Sequence, residues 1–433
     1  MVIGLDGNEA NVTNRVGSGV YSLELLKEFA KNKDHQFLVY LKEKSLPDLP
    51  KESANFKYKV FGPKKLWTQF ALPLKLFFGE KPDIFFSMGH YGPRFSKVPY
   101  VITIHDLSYL HYPHMFKKND LYQLVNWTKY SLKAAAHIVT VSQTTKKDII
   151  ENYNVNPSKI AVTYEGYDKS RFKPQSKSKI ESVRKNYKIE GEYIIFVGTL
   201  KPRKNIERLI EAFASIVHSS QLIVNGEKKT VNREPLTDNL SLVIVGKKGW
   251  LFDAIFEKVK RLKLEDKVIF TDYVPDEDLS ALMLGARVYA LPSLWEGFGI
   301  PVIEAQACGV PVVVSNTSSL PEIVTPPTVI PAEPVLDPDR GAGIQNKNQI
   351  LDHVFDRESQ TESVENDDRT SAILVDPTNV DSIAKSIKKV LEPETKSDLV
   401  KKGFANIKRF SWQKCAEETL SVLGKVASEN KLA

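Results

Sequence analysis

Residues 290–316, ALPSLWEGFGIPVIEAQACGVPVVVSN, decide the fold. An apolar strand beginning at Val288 and ending at Leu291 leads into a glycine loop, Gly297-Phe298-Gly299, and a short helix. The turn Gly309-Val310-Pro311 then opens a second apolar strand, Val312 to Ser315. Strand, helix and strand in this spacing read as one right-handed βαβ unit of a parallel sheet. Pro301 suits the first helical position, where a missing N–H costs nothing, and Gly309 suits the left-handed residue just past the end.

Glu296 precedes the loop and Glu304 lies one turn into the helix. A helix start offers unpaired N–H groups and partial positive charge, which suit a phosphate, whereas a carboxylate suits sugar hydroxyls. The expectation is that Glu304 faces a ribose and Glu296 a hexose, with a diphosphate between them. An isolated glutamate near a helix start is more often a complement to the helix dipole or a solvated turn residue, and it is the whole string that changes the weighing. Together, Glu296, Gly297, Phe298, Gly299, Pro301, Glu304, Ala305, Gly309 and Pro311 resemble the signature of the retaining glycosyltransferases of family 4. That resemblance implies a GT-B fold: α/β, with two Rossmann-like, doubly wound parallel-sheet domains facing across a cleft. It also implies a nucleotide-diphosphate sugar as co-substrate, with no other cofactor and no metal.

Composition agrees with that class. The chain has 433 residues, 42% hydrophobic and 26% charged, with a net charge of +7. So mild a surplus fits anionic substrates, an anionic membrane surface or plain solubility, and no nucleic-acid partner is expected. Two distant cysteines, Cys308 and Cys415, make neither a disulfide framework nor a zinc site and read as inert buried thiols in a reducing compartment. Met1 runs straight into a strand and no apolar run approaches a membrane span, so the expected location is cytoplasmic, with the inner membrane face an open alternative.

In the N-terminal half, Gly17 and Gly19 open a helix running to about Lys31. They form an incomplete dinucleotide fingerprint, and a flexible helix entrance explains them as well. The family resemblance places both near the donor diphosphate. Helix-like sequence from Lys65 to Phe78 carries Trp67, Phe70, Leu74, Phe77 and Phe78 among lysines. Core packing is the favoured reading of that stripe, and contact with a membrane is the other. The strand Val101 to Ile104 ends in His105-Asp106, at the end of a parallel strand where open α/β sheets bind ligands. The resemblance puts His105 near the donor sugar as an orienting or charge-stabilising group, with Asp106 as its partner. Where the family usually has asparagine, this chain has Glu165, at the connection between halves. Tyr109, His111 and His114 fit no metal-ligand spacing.

Residues 1–170 read as the acceptor-side domain and 171–410 as the donor domain, with a lysine-rich linker from Lys169 to Lys188 and a final helix over 411–433 packing back on the first. The donor half opens with a strand ending in Gly198-Thr199-Leu200-Lys201-Pro202-Arg203-Lys204-Asn205. Arginine as a planar fork and lysine as a point charge can clamp a diphosphate there. In the family an Arg and a Lys of this loop hold the leaving group. Lys204 matches the lysine, Thr199 stands at the arginine position, and Arg203 substitutes for it. Gly246, Val274 and Leu279 resemble positions around the nucleotide base. Polar segments near 219–239 and 326–370, the second containing Asp337-Pro338-Asp339, read as insertions.

The resulting expectation is a metal-independent hexosyltransferase of cell-envelope polysaccharide synthesis. Its catalytic residues are His105, Glu296, Arg203 and Lys204. Donor binding falls to Gly17, Gly19, Gly297, Phe298, Gly299, Ile300 and Glu304. The Pro-Arg-Lys-Asn loop resembles that of bacterial mannosyltransferases, so GDP-mannose is the first donor expected and a UDP-hexose the second. The acceptor is a glycan or a lipid-linked saccharide, and the oligomeric state is open. The alternatives are a sugar-nucleotide epimerase or phosphorylase on the same architecture, or a non-catalytic sugar-nucleotide or polysaccharide binding protein.

Overall fold

A computed structural model describes residues 1–218, 222–224, 227–229, 239–327 and 367–432. Two parallel sheets organise them. The first contains β1 (Val2–Asp6), β2 (Gln36–Leu41), β3 (Phe56–Val60), β4 (Ile84–Ser87), β5 (Tyr100–Ile104), β6 (His137–Thr140) and β7 (Ile160–Val162), in the order β3-β2-β1-β4-β5-β6-β7. A short antiparallel hairpin, β9 (Leu222–Val224) with β10 (Glu227–Lys229), follows β8 (Glu192–Val197) in the chain. The second sheet contains β8, β11 (Leu240–Val245), β12 (Val268–Asp272), β13 (Val288–Leu291), β14 (Val312–Ser315) and β15 (Ile373–Val375), in the order β12-β11-β8-β13-β14-β15. Runs such as Val101-Ile102-Thr103-Ile104 and Val312-Val313-Val314 are buried along their whole length, because helices cover both faces of each sheet.

In both sheets the strand order reverses beside the first strand, between β1 and β4 and again between β8 and β13. Crevices outside the carboxyl ends of strands at such reversals are where open α/β sheets take ligands. The βαβ unit read from residues 290–316 is present: β13 and β14 are parallel neighbours joined by the helix Ile300–Ala307, with Pro301 in its first turn and Gly309 at φ +68°. The helix Trp412–Leu432 lies against the helix Ser18–Lys31 of the first sheet's layer.

Two readings need correction here, and those on Asp106 and Gly19 are corrected at the site. Part of the expected linker, Lys177–Asn186, is a helix capped by the Ser176 side chain. Its pattern is faint because only Val183 is buried, with Ile180 and Arg184 half-buried, so a largely polar helix passed for a linker. The aromatic stripe is the second. Helix spans only Ala71–Phe78, and although Trp67, Leu72 and Leu76 are buried, Phe70, Leu74, Phe77 and Phe78 are exposed. Most of the two polar segments near 219–239 and 326–370, including Asp337 and Asp339, lies outside the described residues.

Candidate functional site

A cleft of about 800 Å³ runs between the carboxyl ends of the two sheets. That is ample for a nucleotide sugar. Its walls carry His105, Arg203, Lys204, Glu296, Glu304, Gly17 and the run Gly297 to Ile300. Gly246, Val274 and Leu279 also line it. Gly19 does not: it is buried in the first helical turn, where an added Cβ would stand 3.1 Å from the Glu9 carbonyl oxygen.

At the centre, the Lys204 ammonium lies 2.6 Å from a Glu296 carboxylate oxygen, and Arg203 lies 3.5 Å from the other oxygen. Burial opposes ionisation of Glu296, but the charges of Lys204 and Arg203 outweigh it and hold the carboxyl below its ordinary range. Local hydrogen bonds fix the loop. The Ser318 hydroxyl accepts from the Glu296 N–H at 3.0 Å, while the Ser319 hydroxyl donates to the carbonyls of Glu296 and Phe298. At the end of the neighbouring strand β8, Asn205 sits in the left-handed region and donates to the carbonyls of Pro292 and Pro377, which pins the basic loop to the strand beside it.

Gly297 marks where the two halves touch. A Cβ there would stand 2.1 Å from the backbone oxygen of His105, so only glycine permits the approach. Asp106 does not partner His105, as the sequence suggested. Its carboxylate turns across the cleft to Arg203, 3.5 Å away, and accepts from the Ser108 N–H and hydroxyl. Instead, His105 is flanked by Glu165, 3.7 Å from Nδ1, and by the Met88 carbonyl, 3.0 Å from Nε2. Burial disfavours the imidazolium, yet the hydrogen bond and charge of Glu165 more than offset it and raise the His105 pKa. The neighbouring His90, stacked at 6.1 Å, is pushed down to about 4 by burial and by His105.

Glu304 faces a different setting. Burial raises it to about 8, only partly opposed by Arg171 at 3.9 Å, which also pairs with Asp276. A neutral carboxyl there both donates and accepts, as a vicinal diol requires.

Sequence reasoning left out Lys201, whose ammonium lies 3.8 Å from the Trp250 ring centroid and is lowered by burial to about 8. It shares the loop of Arg203 and Lys204, but nothing local distinguishes it from a solvated lysine. Arg171 and the pairing role of Glu165 were equally invisible, since their partners come from remote segments. Among the described residues no group of His, Cys, Asp and Glu could hold a metal. Cys308 is buried, with its thiol pushed up to about 12.

Two family models match this chain: "Glycosyltransferase Family 4" over residues 16–171 and "Glycosyl transferases group 1" over residues 179–328. The chain belongs to these glycosyltransferases. A relative, O-antigen chain mannosyltransferase B of Escherichia coli, is 29% identical over 77% of this chain and 73% of its own length. The O-antigen chain mannosyltransferase RfbU of Salmonella typhimurium is 32% identical over 48% of this chain and about half (49%) of its own. Among solved structures, the sucrose-phosphate synthase of Thermosynechococcus elongatus superposes with a TM-score of 0.69 at 17% identity, covering 99% of this chain and 100% of that one. Anabaena HepE in complex with UDP and glucose gives 0.65 at 17% identity, covering 98% and 99%. At that identity the likeness establishes the fold, which for this glycosyltransferase is GT-B.

Proposed function

We propose that this glycosyltransferase moves a hexose, mannose first, from a nucleotide-diphosphate sugar to a saccharide acceptor of the cell envelope, with retention at the anomeric carbon and without a metal. The carrying observation is the buried cluster of Lys204, Arg203 and Glu296 at the meeting of two strand-end crevices. Two cations there are held by a carboxylate. A diphosphate entering between Gly17 and the basic loop takes over those cations, and Glu296 turns to accept hydrogen bonds from hexose hydroxyls.

Transfer breaks the bond between the anomeric carbon and the diphosphate oxygen and forms one from that carbon to the acceptor hydroxyl on the same face. The acceptor proton passes to the departing phosphate oxygen. Lys204, Arg203 and the N–H groups at the start of the helix Ser18–Lys31 meet the charge that develops on the diphosphate. The imidazole of His105, held by Glu165, lines the same cleft and is assigned to the sugar side of the donor. Glu296, tied to cations, and Glu304, beyond the loop, are not read as the nucleophile and acid that retaining glycosidases use. Mannose as the sugar, with GDP-mannose ahead of a UDP-hexose, rests on the relatives' names and on the Pro-Arg-Lys-Asn loop.

A thermal-shift panel of GDP, UDP, ADP and TDP tests the donor, since a nucleotide that binds only the folded chain raises the melting temperature. GDP is expected to give the largest shift. Lys204→Ala should abolish that shift and lower kcat/KM by roughly a hundredfold or more. Full transfer activity in Lys204→Ala and Glu296→Ala removes the assignment.

A further inference from the structure

The first sheet's layer carries an apolar face that the fold leaves uncovered. On the helix Ala71–Phe78 and just before it, Phe70 is 59% exposed, Leu74 58%, Phe77 41% and Phe78 79%, and Phe95 on a neighbouring loop is 83% exposed. Lys97 joins loop to helix, its ammonium 4.5 Å from the Phe77 ring centroid. Single exposed apolar side chains are ordinary, but a contiguous group of this kind marks an interaction surface.

Charge around that face is one-sided. Residues 57–97 hold eight lysines and arginines against two carboxylates, a surplus of six in a chain whose total is +7. Glu80 is paired with Lys59 at 3.0 Å and Asp83 with Lys431 at 3.2 Å. Lys65, Lys75, Lys81, Arg94 and Lys97 have no carboxylate partner among the described residues. Aromatic rings rimmed by unpaired cations fit the boundary of an anionic bilayer, where rings enter below the headgroups and the cations meet them. A second copy of this chain would oppose cation to cation.

The same segment reaches the cleft. Lys64, Trp67 and Thr68, immediately before the apolar face, line its wall. We propose that Phe70, Leu74, Phe77, Phe78 and Phe95, with their lysine rim, dock the protein on an anionic lipid surface and hold the cleft mouth at headgroup level, so that the acceptor is a saccharide carried on a membrane lipid. The acceptor half of this rests on the transfer reading above, whereas the docking half does not.

The full chain is sedimented with vesicles of phosphatidylglycerol and phosphatidylcholine, and in parallel with vesicles of phosphatidylcholine alone. Binding is expected to the first and to weaken with added salt. The variant F70S/L74S/F77S/F78S and the purely electrostatic variant K75E/K97E should each lower the partition coefficient by about tenfold or more. Both variants keep the nucleotide-induced thermal shift, because none of these residues lines the cleft. Equal binding to both vesicle types, or unchanged partitioning of K75E/K97E, overturns the proposal. So does a wild-type dimer that fails to bind vesicles and becomes monomeric on loss of the apolar side chains. A chain that binds vesicles yet shows no nucleotide shift leaves docking intact and removes the transfer reading alone.

Discussion

Glu165 and His105 lie 3.7 Å apart in a pocket closed by Tyr21, whose ring meets the imidazole edge-on at 4.8 Å, and by His90. Without the carboxylate, burial, the largest influence, is opposed only by the Met88 carbonyl and the charge of Glu9 and draws the imidazole pKa down. Glu165→Gln, which keeps the shape, is therefore expected to move the alkaline limb of the kcat/KM profile to lower pH, and an unmoved limb would remove Glu165 from this role. Glu304 gives a different signature. Its folded pKa of about 8 exceeds the unfolded carboxyl value, so the folded state holds the proton more tightly. The contribution of this group to stability is then fully present below about pH 4.5 and is lost as pH rises toward 8, a span on the order of 3 to 5 kcal/mol. Urea unfolding of Glu304→Gln across pH 5 to 8 should show that slope flattened relative to the parent.

The loop between β13 and the helix Ile300–Ala307 works by how little room it leaves. Gly297 lies under the His105 carbonyl, and backbone on both sides prevents either half from yielding to a methyl group. Gly297→Ala is expected to separate the two strand ends, with nucleotide affinity falling by roughly tenfold or more while the circular dichroism spectrum stays unchanged. Isothermal titration with the nucleotide that shifts the melting temperature checks it. Elements with a buried face on this scale were legible in advance: β5, β13, β14 and the helix Ile300–Ala307 carry unbroken apolar runs or proline and glycine at fixed offsets. The helix Lys177–Asn186 was not, since one buried valine gives no periodicity to read.

Across the whole molecule, the two halves are tied by contacts that no local pattern announces. Glu322 of the second half accepts from the Gln143 and Thr144 N–H groups at 3.0 and 3.1 Å and from the Tyr164 hydroxyl at 3.2 Å, and so caps a helix of the first half. The Trp250 indole donates to the Met115 carbonyl at 2.8 Å on the opposite side of the cleft. Together they tie the two halves to each other beside the cleft. Glu322→Ala should cost about 1 to 3 kcal/mol of closure. Small-angle scattering of the full chain is then expected to give a larger radius of gyration, and an unchanged value would mean that the cap does not govern closure.

The sequence by itself determined the alternation of strands and helices, the βαβ unit at residues 290–316 and the placement of His105, Arg203, Lys204, Glu296 and Glu304 at strand ends or helix starts. Apolar runs, glycines and prolines act on their own neighbours, so those features can be read along the chain. Tertiary structure alone decided that His105 meets Glu165 while Asp106 crosses to Arg203, that burial raises the Glu304 carboxyl, and that Phe70, Leu74, Phe77 and Phe78 face outward. A side chain's partner, charge and exposure depend on which distant segment covers it, and that is set only when the two sheets close on each other.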